Sequence, residues 1–181
     1  MARKYRRHPQ HPVELQKLAK WIADAKSILE IGCRYGENLA FMAHNMKGKR
    51  LVGVDLPDSE GWNDPECGEI LKEAAKGLRE EGFHVELILG DSHSQDIFNK
   101  VALHAPFDVV FIDGDHTYEG VKQDWNMYGE LGEQVIFHDI KPLNGLGVSI
   151  FWDELKERVS DFEFMEEFIA KDSKMGIARC K

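Results

Sequence analysis

The run Phe107-Asp108-Val109-Val110-Phe111-Ile112-Asp113-Gly114-Asp115-His116-Thr117-Tyr118-Glu119-Gly120-Val121 constrains the fold more than any other stretch of the chain. Its first half is β-branched and aromatic almost without interruption, the pattern of a strand covered on both faces. It then breaks into two aspartates and a histidine. From Tyr118 a helical period takes over, with Tyr118, Val121, Trp125 and Tyr128 on one face. A buried strand that ends in charged groups and turns into a helix sets those groups at the carboxyl edge of a parallel sheet. Open α/β sheets bind their ligands at that edge.

The same alternation recurs along the chain. An amphipathic helix starts at Val13, with Leu15, Leu18, Ala19 and Ile22 on its apolar face, and a short strand covers residues 27–31. A turn from Gly32 to Gly36 leads into a helix carrying Leu39, Met42, Ala43 and Met46, ended by Gly48. Leu51 to Val54 form the second strand, closed by Asp55, and a loop rich in Pro, Gly and Asp follows from Pro57 to Gly68. A helix through Ile70 and Leu78 stops near Gly82, and a third strand (83–89) ends in Gly90-Asp91-Ser92. Ile97, Phe98 and Val101 mark a short helix before the central strand. The fifth strand (134–137) ends in His138-Asp139, and a glycine-bearing loop (141–147) enters a helix with Phe151, Leu155 and Val159. Residues 162–169 and 174–180 read as a closing antiparallel pair. The expectation is a Rossmann-like, doubly wound α/β fold with a mainly parallel seven-stranded sheet and a C-terminal antiparallel strand pair. A single domain over residues 11–181 would follow a basic N-terminal tail, residues 1–10.

A net charge of −9 argues against a broad nucleic-acid surface, which needs excess lysine and arginine. Arg3-Lys4-Tyr5-Arg6-Arg7 is the basic exception, read as a short solvated arm. No apolar run reaches membrane-spanning length, and the N-terminus has no signal-peptide core. Cys33, Cys67 and Cys180 show no metal-type spacing, so free thiols in a reducing, cytoplasmic setting are expected.

The first turn, Glu30-Ile31-Gly32-Cys33-Arg34-Tyr35-Gly36-Glu37-Asn38, has its glycines four apart, not the G-x-G-x-x-G of a pyrophosphate cradle. It suits a carboxylate at the helix N-terminus, while Glu30 suits an ammonium. An amino-acid head group carries both. Asp55 stands where an acidic residue accepts ribose hydroxyls, and Asp91 and Ser92 could grip a base. An amino acid joined to a nucleoside is S-adenosylmethionine (SAM).

With those residues in place, the chain resembles the class I SAM-dependent methyltransferases. It is most similar to the metal-assisted small-molecule O-methyltransferases of the catechol and macrolide-sugar kind and to the type 24 family. The segments EIGCRYGEN, FIDGDHTYEGV, VIFHDI and GVSIFWDELK carry the likeness, in order, from about Ser27 to Val159. The resemblance implies that Glu30, Gly32, Arg34, Tyr35, Gly36 and Asn38 surround the methionine part of SAM. Asp55 would hold the ribose, and Asp91 and Ser92 would lie beside adenine. Asp113 would face both cofactor and metal, Asp139 would be the second metal aspartate, and His116 would be the general base. A divalent cation such as Mg²⁺ would lower the pKa of a small-molecule hydroxyl acceptor. The catechol-type pattern has an asparagine ligand where this chain has Ile140, so either His138, Asp115 or water completes the shell, or the metal is weak or absent. The acceptor pocket would come from loops 57–68 and 140–149, alone or with a second subunit of a homo-oligomer. Trp62 could cover adenine or substrate, or simply anchor its loop.

The plainer alternatives are that Asp113 and Asp139 cap helices and that His116 is structural. Two carboxylates at adjacent sheet positions beside a histidine favour the functional reading. The rival functions are a SAM-binding module without transferase activity, a nicotinamide-dependent oxidoreductase, and an RNA methyltransferase guided by the basic arm.

Overall fold

A computed structural model describes residues 10–56, 66–141 and 146–181. The basic arm, Trp62, most of the 57–68 loop and residues 142–145 lie outside those described residues. Seven strands form one sheet: β1 (Ser27–Ile31), β2 (Arg50–Asp55), β3 (His84–Leu89), β4 (Phe107–Ile112), β5 (Gly132–His138), β6 (Met165–Phe168) and β7 (Ile177–Cys180). Their order is β3-β2-β1-β4-β5-β7-β6. The first five run parallel, with Ile31 opposite Val54 on one side and Ile112 on the other. The closing pair is antiparallel as expected, and β7 seats itself between β5 and β6. That placement follows from composition: Ile177 and Ala178 are fully buried, whereas β6 carries Glu166 and Glu167 and suits an edge.

Among the described residues six α-helices cover the two faces: α1 (Pro12–Ile22), α2 (Glu37–Asn45), α3 (Cys67–Glu80), α4 (Gln95–Ala102), α5 (Tyr118–Tyr128) and α6 (Leu146–Glu157). Alternate residues of β4 enter different cores, which explains its unbroken hydrophobicity. Val110 and Ile112 pack with Val101, Val121, Tyr128, Phe151 and Leu155. Val109 and Phe111 pack with Leu18, Ile22, Leu39, Met42 and Leu78. The buried face of α1 differs from the one its apolar residues suggest. Glu14, Leu18, Trp21 and Ile22 are buried, while Leu15 and Ala19 are half-buried. Among the described residues no helix is long and apolar enough to cross a membrane, and all three cysteines are buried free thiols.

Strand order reverses between β1 and β4, since the chain leaves β1 toward β2 on one side and later returns to β4 on the other. The crevice at their carboxyl ends is therefore the topological switch point.

Candidate active site at the switch point

The first turn is built against its neighbours by backbone. The Gly32 N–H donates to Val54 O (2.9 Å), and the Asp113 N–H donates to Ile31 O (2.8 Å). Gly32 has φ +90°, and a Cβ there would lie 2.2 Å from the Asp113 carbonyl oxygen. Only glycine fits. Arg34 takes φ +51°, and its N–H donates to Asp55 Oδ2 at 2.6 Å. One oxygen of Asp55 therefore holds the turn; burial pushes its pKa up despite the donors from Arg34 and Cys33. Gly36 (φ +83°) precedes α2 without a side-chain cap, and the Arg34 guanidinium lies 4.9 Å from the centre of the Tyr35 ring.

Two side chains link this turn to β4. The Asn38 Nδ2 donates to Asp113 Oδ2 at 3.0 Å. Glu30 is fully buried, and neither carboxylate oxygen has a hydrogen-bond partner. Burial, then the charge of Asp113, pushes its pKa well above the usual carboxylate range. A buried acid without a partner is costly.

Asp113 is the hub of the site. Its Oδ1 accepts from His138 Nδ1 (2.9 Å) and faces His116 Nε2 (3.2 Å). His116 Nδ1 in turn lies 3.3 Å from Asp139 Oδ2. Burial alone would raise the Asp113 pKa, but His138, and then His116, hold it below the ordinary range. Burial works against charge on His116, yet the Asp113 carboxylate, helped by Asp139, keeps its pKa raised. Burial pushes the Asp139 pKa up. Asp139 also has φ +60°, a conformation rare outside glycine, so the turn after β5 is strained at the site itself.

Asp113, His116 and Asp139 each offer one ligand atom, all within 4.8 Å of one another. Two carboxylates and an imidazole fit a divalent cation, with the imidazole favouring a transition metal over Mg²⁺. Asp115 turns elsewhere: its Oδ1 accepts from the Thr117 N–H (2.8 Å), and its carboxyl group lies against Gly120 at the start of α5. His138 directs Nδ1 at Asp113 and keeps Nε2 buried. Ile140 is buried and packs against Gly176. Gly147 of α6 presses on the backbone of His116 and Thr117, fixing the loop that carries the histidine.

The β3 tip reaches the same edge. Asp91 is exposed and accepts from the His93 N–H (2.9 Å), while Ser92 Oγ donates to Asp124 Oδ1 (2.9 Å). Asp124 was not anticipated. It is fully buried on α5, lies 3.2 Å from His93 Nε2, and its other oxygen would sit 3.2 Å from a Cβ at Gly114. Its clue is an acid at helical spacing with Val121 and Tyr128. The Tyr128 hydroxyl also donates to Ser92 O (2.6 Å), so α5 fixes the β3 loop twice. The expected residues thus meet along one edge: the turn and Asp55 through Arg34, the acid–imidazole cluster through Asp113, and Ser92 through Asp124.

Comparison with known proteins gives a consistent result. Residues 29–140 match a family model described as a methyltransferase domain. An uncharacterised protein of Acanthamoeba polyphaga mimivirus is 32% identical over 120 residues, covering 64% of this chain and 52% of its own length. The chain thus spans about half the length of that relative. An O-methyltransferase from Bacillus cereus, solved with SAH, superposes with a TM-score of 0.67 at 16% identity, over 97% of this chain and 83% of that one. An O-methyltransferase of tomaymycin synthesis from Streptomyces achromogenes, solved with SAM, gives 0.65 at 23% identity, over 96% and 80%.

Proposed function

This chain belongs to the methyltransferase-domain family; on that premise we propose that it is a SAM-dependent methyltransferase whose acceptor is a small-molecule hydroxyl, deprotonated at the Asp113–His116–Asp139 cluster. The observation that carries the proposal is the position of His116 between two carboxylates at the switch point, 3.2 Å from one and 3.3 Å from the other. Methyl transfer from a sulfonium is an in-line displacement, so acceptor oxygen, methyl carbon and sulfur must be held in one line. The first turn and Glu30 would hold the amino-acid end of SAM, Asp55 the ribose, and Asp91 and Ser92 the adenine edge. Asn38 would keep Asp113 directed at the reacting centre.

A neutral hydroxyl is a poor nucleophile. His116, more open than Asp113 or Asp139, would accept its proton, and the two carboxylates would stabilise the imidazolium that forms. A divalent cation held by Asp113 and Asp139 would lower the hydroxyl's pKa and orient it. His138 would orient Asp113 from behind. The O-methyltransferases that superpose on this chain support the hydroxyl as acceptor class.

Calorimetry with SAH, followed by radiolabelled transfer from SAM to a panel of small hydroxyl compounds, tests this. His116→Ala is expected to retain SAH affinity and to lose roughly 10²–10⁴-fold in turnover. Turnover unchanged by His116→Ala would remove the histidine from the mechanism. SAH binding with no transfer to any hydroxyl would favour a different acceptor or a binding module.

A further inference from the structure

Glu14 stands outside the region matched by the family model and has no place in the mechanism above. It is nevertheless fully buried. Its Oε1 accepts from the Ala170 N–H (3.2 Å) and the Gly176 N–H (3.1 Å), tying α1 to the connection between β6 and β7. Its Oε2 is also buried and has no hydrogen-bond partner. A glutamine would serve the two backbone donors equally well, so the clamp alone does not explain a second, unmatched carboxylate oxygen.

Beside Gly176, across the β5–β7 ladder, stands His138. Gly176 precedes Ile177, and Ile177 is the cross-strand partner of His138. His138 shares a sheet face with Ile136, and its ring centre lies 6.4 Å from that of Phe111. That face is the one α1 covers with Leu18 and Trp21, and Glu14 lies one helical turn before Leu18. The imidazole therefore lies on the α1 side of the sheet, with Nδ1 at Asp113. Its Nε2 is buried and has no partner either. Two buried polar atoms without partners, Glu14 Oε2 and His138 Nε2, thus lie on the same face of the sheet.

We propose that Glu14 is a positioning residue of the methyl-transfer site: from α1 it holds the outer nitrogen of His138, so that the inner nitrogen keeps Asp113 fixed toward cofactor and metal. A single buried water is enough to join the two groups. The chain of contacts runs Glu14, His138, Asp113, Asn38, and so couples the β6–β7 connection to the SAM turn. The proposal rests on the reading of Asp113 as part of the active site.

The test uses the full chain labelled with ¹⁵N-histidine, with ring resonances assigned by His138→Gln and His116→Gln. Glu14→Gln keeps an oxygen for Ala170 and Gly176 but removes the charge. It is expected to leave the fold intact, to shift the His138 Nε2 resonance well beyond any shift at His116, and to weaken Mn²⁺ binding about tenfold. A lowered melting temperature with His138 unmoved would reduce Glu14 to a clamp and overturn the proposal. If Glu14→Gln does not fold, Glu14→Asp, which withdraws the charge by one methylene, must produce the same Nε2 shift or the proposal fails. The resonance is read in the free protein, so a wild type that binds neither Mn²⁺ nor SAH would sink the functional reading and still leave the Glu14–His138 contact decided.

Discussion

His138 and Asp113 bind the stability of the chain to pH, and the sign follows from their displaced pKa values. Burial by itself would lower the His138 pKa, but Asp113, followed by Asp139, raises it to about 9. Its unfolded value is about 6.5. A group raised in the folded state stabilises fully below its unfolded pKa, and that stabilisation is lost as pH rises through the folded value. Asp113, held low, works in the opposite sense: its contribution is present above about 4 and fades only as acid protonates it in the folded state. The urea midpoint should therefore fall between pH 6.5 and 9. His138→Gln should flatten that fall, leaving the remainder due to His44, His93 and His116, whose pKa values are also raised. An equal slope in the variant would mean that His138 is neutral in the fold. Asp113, His116 and Asp139 were legible in the sequence because each sits where a hydrophobic strand stops. Glu14 and Asp124 were not. An acid on a helix reads as solvated, and the backbone donor that Glu14 meets at Ala170 is 156 residues away.

At the scale of elements, two glycines predict opposite outcomes. Gly32 joins β1 to the turn at φ +90°, with the Asp113 carbonyl in the space a methyl group would need. Gly32→Ala should cost roughly 3 kcal/mol or more, because strain and collision act together. It should also abolish SAH binding, since relief of the clash displaces the strand tip that carries Asp113. Gly77 is in the last turn of α3, and a Cβ there meets nothing within 4 Å. Gly77→Ala should stabilise by about 0.5–1 kcal/mol through helix propensity and a less flexible unfolded chain. Urea denaturation of both variants checks the pair, and destabilisation by Gly77→Ala would show that the packing around α3 is misjudged. The alternation of strands and helices was readable from periodicity, because strands covered on both faces and helices covered on one carry different patterns. The partner of β5 was not. Antiparallel pairing of the tail follows from two short apolar runs, but which run lies inside depends on the tertiary choice to bury Ile177 and Ala178 and leave Glu166 and Glu167 toward the edge.

Across the whole molecule, the residues proposed for SAM and the metal come from segments far apart in sequence: the turn after β1, the ends of β2, β3 and β4, the end of β5 for the metal, and, through Asp124, the body of α5. None of them forms a site until the sheet is complete, so a ligand that requires them all binds only the folded chain. Such a ligand stabilises by RT ln(1 + [L]/Kd), about 2.7 kcal/mol at a hundredfold excess over Kd. For a domain of 150–250 residues, 1 kcal/mol moves the melting temperature by about 2–4 °C, so SAH at that excess should raise it by roughly 5–10 °C. NADH should raise it by nothing, because the glycines of the first turn are four apart and Glu30 lies beneath them. Asp55→Asn should shrink the SAH shift more than it lowers the unliganded melting temperature. Asn can still accept the Arg34 N–H that holds the turn, but it lacks the charge proposed to grip the ribose. A shift with NADH and none with SAH would show that the shared edge is shaped for a different nucleotide, and the assignment of Glu30, Asp55 and Asp113 would fall together.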